Sequence, residues 1–106
     1  MMTLEGLLGQ VAGVEATDVT RWVALRFVRP EGEAGAWVFG EMDVARVRLI
    51  VELRDVMEVD EPALPAVLGL LDQLYDLRRR IRRVNEAMEA VLTAEMRAAL
   101  ARHILG

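Results

Sequence analysis

The chain has 106 residues, 54% of them hydrophobic, which suffices for one small core and a projecting element. It contains no Cys, Ser or Lys, so thiol and seryl nucleophiles, Schiff-base lysines, disulfides and zinc–thiolate centres are excluded. Its net charge of −4 is uneven: residues 1–62 carry 12 acids and 6 Arg (net −6), whereas residues 63–106 carry 5 acids and 7 Arg (net +2). An acidic N-terminal half disfavours phosphate binding by that half. The only His, His103, lies on an apolar helical face and reads as a packing or surface residue. These absences point away from an enzyme. No apolar run approaches the roughly eighteen residues of a membrane span, and no basic-then-apolar leader opens the chain. The expectation is a cytoplasmic protein with no membrane association.

From the N-terminus, Leu4, Leu7, Leu8 and Val11 recur at helical spacing behind Thr3, a suitable N-cap. Gly13 ends that helix. Glu15, Thr17 and Asp18 open a second helix, with Val19, Trp22, Val23 and Arg26 at three-to-four spacing. Two short helices joined through a Gly suggest a helix-turn-helix; any two-helix corner of a small core would look the same. Leu25, Phe27 and Val28 then form one β-like run, Pro30 to Gly35 a turn, and Ala36 to Phe39 the return. That pattern predicts a β-hairpin, placed where a wing would follow a helix-turn-helix.

Glu41 to Met57 reads as a third helix, with Val44, Val47, Leu49, Ile50, Val51, Leu53 and Val56 on a broad apolar face. Pro62 and Pro65 place the start of a fourth helix between residues 61 and 65, because Pro fits only its first turn. Within this helix Val67, Leu70, Leu74, Leu77, Ile81, Val84, Met88 and Val91 alternate at spacings of three and four. This is a heptad seam without a polar a or d position. Leu64, Leu68, Leu71 and Tyr75 add a second apolar flank, expected to pack on the N-terminal domain. Arg78, Arg79, Arg80, Arg82 and Arg83 surround Ile81 at positions where a coiled coil carries charge. Thr93 caps a last helix in which Met96, Ala99, Leu100, His103 and Ile104 share a face. The seam offers more apolar surface than this short tail could cover, which predicts a homodimer through the fourth helix.

The expected fold is thus mostly α: a winged helix-turn-helix domain over residues 1–60, a long dimerisation helix over 61–92 and a helical tail over 93–106. This order resembles the MerR-like winged-helix architecture. Trp37, Val38 and Phe39, then Leu53 and Arg54, Val59 to Pro62, and Val67 to Leu74 with Leu71-Asp72-Gln73-Leu74, resemble one branch of it, the chaperone modulator CbpM family. In that family a Trp-Val-Phe stretch, a Leu-Arg pair, an Asp-x-Pro helix start and a Leu-x-x-Asp-x-(Ile/Leu) segment follow in this order. The resemblance covers about residues 4–84, and the chain beyond about residue 90 extends past the family pattern.

The resemblance implies a partner, the J domain of a CbpA/DnaJ-like co-chaperone, whose stimulation of DnaK such proteins block. It also implies an antiparallel dimer. J domains present a basic helix, so the acidic residues Glu52, Asp55, Glu58, Asp60 and Glu61 are the candidate contacts; a solvated acidic rim is the plainer reading of the same residues. The alternatives are a MerR-type DNA-binding regulator, disfavoured by a second helix with one Arg, and a plain dimerisation module. No cofactor is implied, since an effector metal of the MerR type would call for Cys.

Overall fold

The computed structural model describes residues 1–105. Five α-helices follow in order: α1 (Leu4–Gln10), α2 (Ala16–Ala24), α3 (Glu41–Asp55), α4 (Leu64–Val91) and α5 (Ala94–Leu105). A single 3₁₀ turn, Glu61–Ala63, leads into α4 with Pro62 in its first positions. The chain divides into two compact units, Met1–Leu68 and Gly69–Gly106. No helix among the described residues is long and apolar enough to cross a membrane.

In the first unit, local chemistry sets each helix end. The Thr3 hydroxyl accepts from the Gly6 N–H at 3.2 Å, and Gly13 turns the chain at φ +82°. The Asp18 carboxylate accepts from the Glu15 N–H at 3.0 Å, and Asp43 does the same for the Gly40 N–H at 2.9 Å. Each satisfies a donor that the helix leaves orphaned. Glu58, at φ +54°, takes the chain out of α3.

The core is built from Leu7 and Val11 of the first helix and its end, Val19 and Trp22 of α2, and Val44, Val47, Ile50 and Leu53 of α3. Phe27, Val28, Phe39, Leu64 and Leu68 complete it. The expected α3 face holds in the four buried residues, but Val56 is 73% exposed. It lies just beyond the helix, where α3 has left the core.

The predicted β-hairpin wing is replaced by something smaller. No continuous strand forms between Leu25 and Phe39; the first apolar run is a turn in which Arg26 takes φ +63° and the Phe27 N–H bonds to the Trp22 carbonyl. Phe27 and Val28 are adjacent and both buried, so the run cannot alternate between a wet and a dry face. Two isolated antiparallel bridges remain, Glu31 with Val38 and Met2 with Phe39. The return run thus pairs partly with the N-terminal segment ahead of α1.

The second unit holds the rest of α4, and α5. The Thr93 hydroxyl accepts from the Met96 N–H at 3.2 Å and caps α5 as expected. The second apolar flank of α4 is buried as far as Leu68 only. Leu71 is half-buried and Tyr75 is 56% exposed, with Arg79 lying 5.8 Å from its ring centre. Of the seam, Leu70, Leu74, Leu77, Ile81, Val84 and Val91 are exposed, and Val67 and Met88 half-buried.

The loop that stands in for the wing depends on glycine. A Cβ on Gly32 (φ +87°) would lie 2.8 Å from the Ala36 carbonyl oxygen, whereas one on Gly35 (φ +88°) meets nothing within 4 Å. Gly35→Ala should cost about 1–2 kcal/mol from backbone conformation alone, and Gly32→Ala more, because of the added clash. Urea unfolding of the two variants measures the difference.

Candidate functional site

The surface that a helix-turn-helix offers to a partner is carried here by α1, α2 and the turn between them. That turn is fixed to α3 by one side chain. Arg54 donates through Nη2 to the Gly13 carbonyl at 2.7 Å and through Nε to Asp55 at 2.8 Å. Its Nη1 lies 3.4 Å from Asp18, and its guanidinium carbon sits 5.4 Å from the Trp22 ring centre. The Trp22 side chain is fully buried, so its indole N–H needs an acceptor; Glu61 supplies it at 3.2 Å. Glu61 also accepts from Arg21, whose Nη2 reaches Asp18 at 2.9 Å.

Five charged side chains therefore form one network around one indole. Hydrogen bonds from Arg21 and Trp22 hold the Glu61 carboxyl below its ordinary value. Burial pushes Asp18 up, but the Glu15 N–H, Arg21 and Arg54 outweigh it, so its carboxyl is lowered too. Asp55 is lowered by its bond from Arg54. The same bonds raise the arginines, Arg21 chiefly through Glu61 and Arg54 chiefly through Asp55.

This geometry sorts the five acidic residues expected to contact a partner. Glu61 and Asp55 are engaged within the network and hold the domain together. Glu52, Glu58 and Asp60 enter none of those pairs and are exposed. Glu52 and Asp55 edge a shallow groove whose apolar lining includes Val11, Val51 and Val56. Beside it, Val56 and Met57 are exposed, Met57 by 65%. These two apolar residues among acids went unrecognised in the sequence, where Val56 read as core; the left-handed backbone of Glu58 that follows them is not legible in residue type. Arg54 was equally unassigned, although the Leu53–Arg54 pair was part of the family pattern. Among the described residues no group of three metal-ligating side chains comes together.

On the α2 side, Thr17, Thr20 and Arg21 face solvent, flanked by Glu15. Arg21 is the only cation in α2. The loop beyond carries the exposed acids Glu31 and Glu33 beside Arg26 and Arg29. The face that would approach a phosphate backbone is thus of mixed charge, with its one helical cation already paired.

Two outcomes check the network. Arg54→Ala should cost about 2 kcal/mol in urea unfolding, since it removes three acceptors' partner and one face of the indole's packing. Stability should also hold above about pH 4.5 and fall below it. The carboxyls of Asp18, Asp55 and Glu61 are depressed in the folded state, so the unfolded chain binds protons first. A thermal-melting series from pH 7 to pH 3 measures this, and Glu61→Ala should flatten it.

Comparison with known proteins places this geometry. No curated protein and no solved structure matches the chain. The sequence pattern of MerR HTH family regulatory proteins matches residues 8–86, from within α1 through most of α4. With about three quarters of its length inside that pattern, the chain belongs to the MerR helix-turn-helix family of regulatory proteins.

Proposed function

We propose that this protein is a non-catalytic chaperone modulator of the CbpM type, a homodimer that binds the J domain of a CbpA/DnaJ-like co-chaperone and blocks its stimulation of DnaK. The observation that carries the reading is the electrostatics of the helix-turn-helix surface. The single cation of α2 is held between Asp18 and Glu61, and the surrounding unit has a net charge of −6 over residues 1–62. A family member built to grip DNA would place free cations there. An acidic domain instead favours a basic protein surface, as the basic helix of a J domain offers. The resemblance of residues 37–39, 53–54, 59–62 and 67–74 to the CbpM branch supplies the identity of that partner.

The contact surface in this reading is the apolar step of Val56 and Met57, rimmed by Glu52, Glu58 and Asp60. Calorimetric titration with the J domain of the same organism's CbpA-like protein tests it. Binding is expected at micromolar concentrations, weakening as salt rises. Glu52→Arg combined with Glu58→Arg should weaken it at least about tenfold, since each reversed rim charge turns attraction into repulsion. No J-domain binding, together with a salt-dependent shift of promoter DNA, would favour the DNA-binding alternative.

The homodimer is part of the same reading. Ile81, at the seam centre, is 53% exposed in the single chain, so Ile81→Asp should leave that chain folded. Within a dimer the buried charge should cost about 3–5 kcal/mol. Light scattering that finds the variant still dimeric would remove α4 from the interface.

A further inference from the structure

The extended segment ahead of α3 is bonded on alternate sides. Val38 exchanges two hydrogen bonds with Glu31, at 2.9 and 3.0 Å, and Phe39 exchanges two with Met2, at 2.8 and 2.9 Å. Backbone groups of successive residues in an extended run point opposite ways, so Trp37 presents its N–H and carbonyl on the side of Met2. That register would set Leu4 opposite Trp37, but at Leu4 the chain turns into α1. Among the described residues the Trp37 N–H and carbonyl take no hydrogen bond. Where a further pair would sit, the first unit has an open cavity of about 570 Å³. Thr3, Leu4 and Glu5 line it from the α1 side, Ala36 and Trp37 from the extended segment. We propose that this cavity binds an extended basic segment of a partner protein, whose backbone pairs with Trp37 and whose arginine or lysine side chain meets Glu5.

The chemistry of the lining selects that occupant. Glu5 is exposed and enters no ion pair among the described residues, and no cation lines the cavity. An acidic segment or a phosphate backbone would meet this carboxylate, within a unit of net charge −6, without a counter-charge. A basic side chain finds both parts of itself matched. Its aliphatic stem lies against Leu4, Ala36 and Val38, and its charged head reaches Glu5. Trp37 offers an aromatic surface of the kind that attracts such a cation. Its ring is steadied by Phe39, fully buried, whose ring stands nearly perpendicular to it at 6.2 Å. The unpaired N–H and carbonyl of Trp37 favour an extended chain over a helix, because a helix has no free backbone groups along its side.

This site is distinct from the step of Val56 and Met57. The two lie at opposite ends of α3, whose 15 residues span about 22 Å. The inference therefore stands or falls independently of the J-domain reading.

Tryptophan emission of the full chain provides the test. Trp22 is fully buried and Trp37 half-buried in the cavity wall, so a ligand here changes the emission of Trp37. The probe is the acetylated and amidated peptide Thr-Val-Arg-Val-Thr. It should bind with a dissociation constant on the order of 0.1–1 mM, weakening as salt is added. The same peptide with Glu in place of Arg should not bind. Nor should an analogue N-methylated at its three central residues, which cannot donate to the Trp37 carbonyl. Glu5→Gln, at an exposed position, should keep its helix content by circular dichroism and weaken binding at least about fivefold. Thr20→Arg sets a competing cation on the α2 side of the cavity and should abolish binding. No change in emission at about 10 mM peptide overturns the proposal. Equal binding of the glutamate peptide, or an unchanged constant for Glu5→Gln, overturns the basic specificity, and undiminished binding of the N-methylated analogue overturns the backbone pairing. A DNA duplex that changes the emission where the peptide does not assigns the cavity to nucleic acid instead.

Discussion

The first unit depends on one buried indole and on how its single polar atom is satisfied. Trp22 is the largest side chain in the core, and it reaches the edge of that core with an N–H that must be bonded. Glu61 provides the acceptor from a segment 39 residues further on, in the turn that starts α4. A carboxylate brought to that place needs compensation, which Arg21 gives from the adjoining position of α2. Arg54 closes the other side, spanning the ring, Asp18 and the carbonyl of Gly13. The turn of the helix-turn-helix, the orientation of α2 and the lead-in to α4 are thus fixed by one connected set of contacts. Bidentate and stacking geometry of this kind suits guanidinium and not ammonium, which fits a chain whose cations are all Arg.

Much of the helical architecture was legible in residue order because it rests on local rules. Thr3, Asp18 and Thr93 mark helix starts by chemistry that acts over three residues. Pro62 marks the last turn before α4 for the same reason. The wing failed because hairpin formation is decided by pairing, not by composition. Phe27 and Val28 are β-formers by type, but both are needed as plugs in the core, and Phe39 is claimed by Met2. The site divided along the same line. That Glu61 and Asp55 are acidic is visible in the sequence; that they face Arg21, Trp22 and Arg54 is a long-range fact. Charge clustering in sequence could not separate residues that hold the domain from Glu52, Glu58 and Asp60, which remain exposed.

α4 illustrates how one helix serves two purposes through phase alone. Leu64 and Leu68, four residues apart, lie on a stripe that enters the core of the first unit. Leu70, Leu74 and Leu77 lie on the next stripe round the helix and stay outside it. After Leu68 the core-facing stripe gives way to the half-buried Leu71 and the exposed Tyr75. What begins as a packed element thus continues as an amphipathic one without any break in the helix.

The clamp around Trp22 also fixes how this domain can be controlled. Its acids are depressed below their ordinary range and its bases are guanidinium groups raised above theirs. No member gains or loses a proton anywhere near neutral pH, and with no lysine in the chain none can be acetylated. The charge pattern of the helix-turn-helix is in effect hard-wired. Neither a change of pH about neutrality nor lysine acylation can therefore alter the charge of this network.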